Sequence, residues 1–299
     1  MTAAGILTLR ANLGDHQPFL PVKAAGLSLP GVRFDFCGPK SPPSGFRDMV
    51  EGGVYAFGEL ALGIYLQAVH YRKPVMLLPV TITARFQHGN IVRRRDRDLR
   101  PDQMAGKRIG VRAYTQTTAI WIRGILQESY GIDPSTVTWV CTEGSHVAAY
   151  QDPPNVQRMA IASDQLVTLL DSGEIDAAIF GADLPRGRED IVPLIADADA
   201  AALAWYGQHG YVPVNHMLAV GSGLAQARPD LVRALYRLFS DASAAAPLLP
   251  AGIDFLPCGF DAVRAPVEAM IRHAVDQKII PHPLSFEDVF GEARRVLSP

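Results

Sequence analysis

Lys107-Arg108-Ile109-Gly110-Val111-Arg112-Ala113-Tyr114-Thr115-Gln116-Thr117-Thr118 is the stretch from which the fold can be read. Arg108–Arg112 has the composition of a short strand, a polar turn follows, and Thr117–Tyr130 has the composition of a helix. A strand that runs through a polar turn into a helix start leaves free backbone N–H groups, and the positive end of the helix dipole, facing one small volume where a carboxylate binds well. Thr117 and Thr118 suit that role and equally suit a helix cap with no ligand, so spacing leaves both open. Arg123 can offer a planar fork to a carboxylate. The residue pattern by itself favours a surface arginine beside a core tryptophan, Trp121.

Outward from this unit, Gly5–Leu9, Lys73–Thr81, Ile91–Arg94, Val137–Cys141 and Asp176–Phe180 are further short apolar runs with strand composition. Ser44–Gly53, Gly58–Val69, Ser163–Ser172, Asp197–Ala204 and Arg228–Ala244 have helical composition between or after them, and Pro229 sits where a first helical turn accepts proline. Strands alternating with helices predict βαβ units. The charged run Arg93–Asp98 predicts a solvated turn and a lobe boundary, and the apolar strand around Tyr211–Val220 returns the chain. The predicted organisation is a discontinuous first lobe, 1–98 with 221–299, and an inserted second lobe, 99–220.

A chain of 299 residues suits two such lobes. A net charge of −2 supplies no field that would favour nucleic acid or an anionic membrane, and no apolar run approaches the ~20 residues of a membrane helix. The expected partner is a small molecule, in a cytoplasmic protein for which a homodimer is compatible with the sequence. Cys37, Cys141 and Cys258 are widely spaced and read as small buried hydrophobes. The histidines show no helical metal-site spacing, so no metal or cofactor is expected. Arg85-Phe86-Gln87-His88-Gly89-Asn90, between two strand-like runs, suits anion recognition and proton transfer. His216, inside an apolar run, reads as either a catalyst or a hydrogen-bonded core residue.

Thr117-Thr118-Ala119-Ile120-Trp121-Ile122-Arg123-Gly124-Ile125-Leu126-Gln127-Glu128-Ser129-Tyr130-Gly131, preceded by Lys107–Val111, resembles the 4,5-dihydroxyphthalate decarboxylases. Further matches lie at Gly58–Leu62 with Tyr65, Pro79–His88, Gly173–Ala177, Pro213–Val220 and Pro257–Phe290. The resemblance implies a two-lobed α/β fold similar to type II periplasmic binding proteins, with a ligand cleft between the lobes. It also implies a carboxy-lyase that converts 4,5-dihydroxyphthalate to protocatechuate and CO2 without a cofactor. With that chemistry in view, His88, His216 and Glu59 are the catalytic candidates, and Arg85, Arg123, Arg112, Tyr114, Thr117 and Thr118 are candidates for substrate binding. Val111-Arg112-Ala113-Tyr114 departs from the Val-Pro-Glu-Tyr-like turn expected in the family, which leaves open a related hydroxylated aromatic acid as substrate. A small-anion sensor and a chorismate-type dehydratase on the same scaffold are the alternative functions.

Overall fold

The computed structural model describes residues 6–25, 31–185, 187–247 and 252–298. Gly5, expected to open the first strand, lies outside them. Eleven strands are described: β1 (Leu7–Asn12), β2 (Val32–Asp35), β3 (Phe57–Ala61), β4 (Val75–Ala84), β5 (Ile91–Arg94), β6 (Arg108–Val111), β7 (Thr138–Cys141), β8 (Val156–Arg158), β9 (Ala177–Ile179), β10 (Ile191–Pro193) and β11 (Val214–Gly221). They form two sheets, ordered β2-β1-β3-β11-β4 and β10-β5-β9-β6-β7-β8. β1 runs parallel to β2 and β3, and β6 runs parallel to β7 and β9. The helices are α1 (Leu20–Ala25), α2 (Phe46–Val50), α3 (Leu62–His70), α4 (Thr117–Tyr130), α5 (Leu166–Ser172), α6 (Ala198–His209), α7 (Ser222–Ala227), α8 (Pro229–Ala244), α9 (Phe260–Asp276) and α10 (Phe286–Leu297).

Sheet membership changes between Ala84 and Ile91, and again between Pro193 and Val214, earlier in both cases than the predicted 98/99 and 220/221. The charged run is a turn as predicted in character, but it follows a strand that already belongs to the second sheet, because β5 pairs with β9 and β10. β11 is long and apolar and completes the first sheet between β3 and β4. The two crossings are tied together where they leave the first sheet: the Arg85 amide donates to the Pro213 carbonyl at 3.1 Å, and Gln87 Nε2 donates to Asn215 Oδ1 at 2.7 Å.

The segment predicted as one helix, Gly58–Val69, is two elements. Phe57-Gly58-Glu59-Leu60-Ala61 is a strand buried on both faces, and the helix begins only at Leu62. β3 lies between β1 and β11, and pairing on both sides overrides the modest helix propensity of these residues. Gly58 makes the pairing with β1 this close. A Cβ there would stand 2.2 Å from the Asn12 carbonyl oxygen. Among the described residues, α9 and α10 and strands β2, β8 and β10 are elements that the pattern of short apolar runs did not reveal.

α4 follows a strand of the second sheet yet packs against α3 and α9, which border the first. Its apolar length is buried throughout Thr117–Leu126. Trp121 donates its indole N–H to the Val214 carbonyl at 2.8 Å, and Gly124 lies so close to His273 that a Cβ would meet the imidazole at 2.5 Å. The helix thus anchors the returning strand from the far side of the crossing. Gly58→Ala should lower stability by about 1–3 kcal/mol, the usual range for forcing atoms into a packed interior. A urea midpoint equal to that of the wild type would show that β1 and β3 can separate freely.

Candidate active site

Open α/β sheets place ligands beyond the carboxyl ends of their parallel strands. The loop after β1 carries Gly14 and His16, β3 carries Glu59 at its middle, the turn after β6 carries Arg112 to Gln116 and leads into Thr117 and Thr118, and the loop after β7 carries Glu143 and His146.

Glu59 is fully buried and is the centre of the group. One carboxylate oxygen, Oε1, accepts from the Gly14 amide at 2.7 Å and lies 2.8 Å from His16 Nε2, while Oε2 lies 2.5 Å from His216 Nδ1. Burial by itself would raise the carboxyl, but the hydrogen bonds and charges of the two imidazoles outweigh it and hold the group well below the usual carboxylate range. Gly14 must be glycine for this approach, since a Cβ would sit 2.9 Å from the His16 ring nitrogen and 3.1 Å from the Glu59 oxygen. His216 reaches the carboxylate from β11, whose register against β4 shifts on either side of this residue. Such an irregularity re-aims a side chain. His16 also borders a cavity of about 1360 Å³ shared with Thr83, Ala84, Phe255 and Cys258, whereas Glu59, His216 and Arg85 lie outside its lining.

A second group joins the crossing segments to the start of α4. Thr118 Oγ1 accepts from Arg85 Nη2 at 3.0 Å and from Asn215 Nδ2 at 3.1 Å. With both acceptor positions filled, its hydroxyl hydrogen is left to donate elsewhere. Thr117 Oγ1 accepts from the Gly63 amide at 3.1 Å, so it ties the first turn of α4 to the first turn of α3. Neither threonine is the helix cap, a position held by Gln116. Burial pushes the Arg85 guanidinium below its ordinary value, opposed by Asp183, and its Nε has no hydrogen-bond partner among the described residues.

The other expected site residues sit differently. Arg123 is wholly buried: Nε donates to Gln277 Oε1 and Nη2 to the Tyr114 carbonyl, both at 2.6 Å. Its guanidinium lies 4.0 Å from the Tyr114 ring centre and 5.0 Å from that of Trp139. The Tyr114 hydroxyl donates to the Gln277 carbonyl at 3.1 Å. These two side chains are spent on joining the β6–α4 turn to α9, because a buried cation without a carboxylate partner needs carbonyls and aromatic faces around it. Arg123→Gln should cost about 2–4 kcal/mol of stability in chemical denaturation, from lost charged hydrogen bonds and ring contacts. An unchanged midpoint would place the guanidinium in solvent.

His88 is 2% exposed and packs edge-on to Trp205 at 6.2 Å between ring centres, with no hydrogen bond linking it to Glu59 or His216 among the described residues. Burial lowers its imidazole from 6.5 to about 4. The unfolded chain therefore binds the proton first, so this residue favours the folded state above pH 6.5 and its contribution is lost as pH falls toward 4. His88→Gln should flatten the fall in urea midpoint between pH 7 and pH 5, and equal slopes in the two proteins would show a hydrated imidazole.

His16 was not among the sequence candidates. It lies outside any periodic element, and its one signal is position: a histidine two residues after a glycine, in the loop that follows a strand.

No protein-family model matches the chain. Over 258 residues it is 28% identical to a 4,5-dihydroxyphthalate decarboxylase of Comamonas testosteroni, covering 80% of this chain and 76% of that protein. Over 223 residues it is 29% identical to a 4,5-dihydroxyphthalate decarboxylase of Pseudomonas putida, covering 69% and 83%. Among solved structures, the periplasmic aliphatic sulphonate binding protein SsuA of Escherichia coli aligns with a TM-score of 0.53 at 11% identity, covering 96% of this chain and 83% of that one. The desulfurization enzyme DSZB aligns with a TM-score of 0.50 at 17% identity, covering 97% and 99%. The fold is thus the two-lobed α/β architecture of periplasmic binding proteins, shared by a binding protein and an enzyme, and the fold alone selects neither.

Proposed function

We propose that the chain is a carboxy-lyase that removes CO2 from a hydroxylated aromatic acid, with 4,5-dihydroxyphthalate the first substrate to test. Sequence similarity over most of the chain points to this reaction. The observation that carries the reading within the site is one buried carboxylate engaging two imidazoles through separate oxygens.

The chemistry needs proton transfer at two positions of one ring. Loss of the phenolic proton para to a carboxylate pushes electrons to the ring carbon bearing that carboxylate, which takes up a proton. The carbon–carbon bond then breaks, CO2 departs, its bonding pair returns to the ring and the phenolate is reprotonated. His216 and His16 serve as the base and the acid, and Glu59 orients both rings and stabilises whichever carries the proton. Arg85, the free hydroxyl hydrogen of Thr118 and the first turn of α4 face the substrate's negative charge. The ring is its own electron sink, so these steps are complete with protein side chains. Arg123 and Tyr114 hold the turn that presents Thr117 and Thr118, and His88 packs the crossing away from the chemistry. A cytoplasmic setting and a place in the breakdown of aromatic acids accompany this reading.

Purified protein incubated with a panel of hydroxylated benzoic and phthalic acids should release CO2 from 4,5-dihydroxyphthalate, with a product lighter by one carboxyl group. His216→Asn, His16→Asn and Glu59→Gln should each lower turnover by ~10²–10⁴-fold, while His88→Gln retains turnover close to wild type. Tight binding of every acid with none consumed would make the chain a binding protein, and wild-type rates in both His216→Asn and His16→Asn would remove the imidazoles from the reaction.

A further inference from the structure

A second cluster joins the Glu59 group through a shared aromatic ring. Phe46, at the start of α2, is 1% exposed and packs against two imidazoles: His216 meets its ring edge-on at 5.1 Å between centres, and His146 meets it at 5.9 Å. The loop after β7 that bears His146 is held to both lobes. Arg47 Nη2 donates to the Ser145 carbonyl at 2.7 Å, the Ala148 amide donates to Glu51 Oε1 at 2.9 Å, and the Thr142 and Glu143 amides donate to the Arg112 carbonyl at 3.1 and 2.7 Å.

Arg112 and Arg47 are thus the cations that act on His146, whose ring shares Phe46 with His216 of the Glu59 group. Arg112 Nε is buried and makes no hydrogen bond among the described residues, its nearest acid being Glu143 at 3.7 Å, whose side chain is 42% exposed. His146 is partly buried, and burial followed by the charges of Arg112 and Arg47 lowers its imidazole to about 4. Arg112, Arg47 and Lys73 stand against Glu143 and Glu51, which leaves one positive charge in excess in this cluster, and a neutral imidazole nearby still has an N–H to donate.

We propose that Arg112 and His146, with Arg47 beside them, form a second anion subsite that holds the carboxylate the substrate keeps, so that the protein selects aromatic diacids over monoacids. The inference rests on the decarboxylase reading, in which the group facing Arg85 and the Glu59 imidazoles is the one that leaves. It assigns Arg112, gained in a turn that lacks the expected acidic residue, to recognition of the second charge. His146 and Arg47 are new to the site, since nothing in the sequence pattern joined them to it.

Phthalate and benzoate separate this subsite from the chemistry, because neither carries the para hydroxyl that decarboxylation needs. In calorimetric titrations the wild type should bind phthalate about 10- to 100-fold more tightly than benzoate, the range of a charge-assisted hydrogen bond. Arg112→Gln and His146→Gln should each bring that ratio toward one and leave benzoate affinity within about twofold, while Arg112→Lys retains most of the preference. A ratio unmoved in both Arg112→Gln and His146→Gln, or no preference in the wild type, overturns the subsite. Should Arg112→Gln fail to fold, Arg112→Lys and His146→Gln decide the matter, and a ratio unmoved in His146→Gln then overturns it. CO2 release from 4,5-dihydroxyphthalate by the same wild-type preparation keeps the two readings apart: release with an unmoved ratio removes the subsite alone, and a collapsed ratio without release removes the reaction alone.

Discussion

A carboxylate with no solvent exposure must be given back what it loses on leaving water, and around Glu59 that requirement organises much of the first lobe. Two imidazoles and one backbone amide supply the compensation, from two separate segments: the loop after β1, which brings both Gly14 and His16, and β11. Each segment must therefore be in place before the charge is tolerable. Glycine at 14 lets the loop approach the carboxylate, and glycine at 58 lets β3 lie against β1. The irregular register of β11 turns His216 toward the same point. One buried charge thus couples strand order, loop conformation and side-chain direction.

The second lobe meets this centre through two crossings and one helix. The crossings bond to each other at Arg85 and Pro213, and α4 reaches back to pack on α3 and α9. Arg123 is the internal counterpart of Glu59: an equally buried charge, here a cation, met by carbonyl oxygens and aromatic faces in place of an opposite charge. The two solutions suit different tasks. A carboxylate shared by two titratable rings can participate in proton transfer, while a guanidinium enclosed by tyrosine, tryptophan and an amide fixes geometry and leaves no proton to move.

The scaffold accommodates both capture and conversion of small anions, so the distinction lies in side chains at the strand ends. A binding protein needs donors for its ligand and nothing that exchanges protons with it. Here the donors around Thr118 and the imidazoles on Glu59 are separate groups joined by β11, since Asn215 bonds to Thr118 and the next residue, His216, bonds to Glu59. In the proposed reaction, anion recognition and proton transfer are consequently one residue apart on one strand.

The strand–turn–helix unit at 107–130, the alternation of strands with helices, and the helices at Thr117–Tyr130 and Pro229–Ala244 were legible in the sequence, because short-range apolar patterning and helix-start chemistry are local properties. Similarity along the chain supplied the architecture and the chemistry. Residue pattern alone placed Glu59 on a helix, because Gly58-Glu59-Leu60-Ala61-Leu62 carries no alternation: a strand paired on both sides buries every residue. The same limit explains why the proposed reaction pairs His216 with His16 and not with His88. A histidine's role depends on what stands beside it, and the partners of His16 and His216 lie 43 and 157 positions away from them in the chain. Sequence by itself determined the α/β class, the start of α4 and the chemical repertoire of arginines, histidines and threonines. Only the tertiary structure decided which of them share a volume, since burial of a charge is settled by every segment that closes over it.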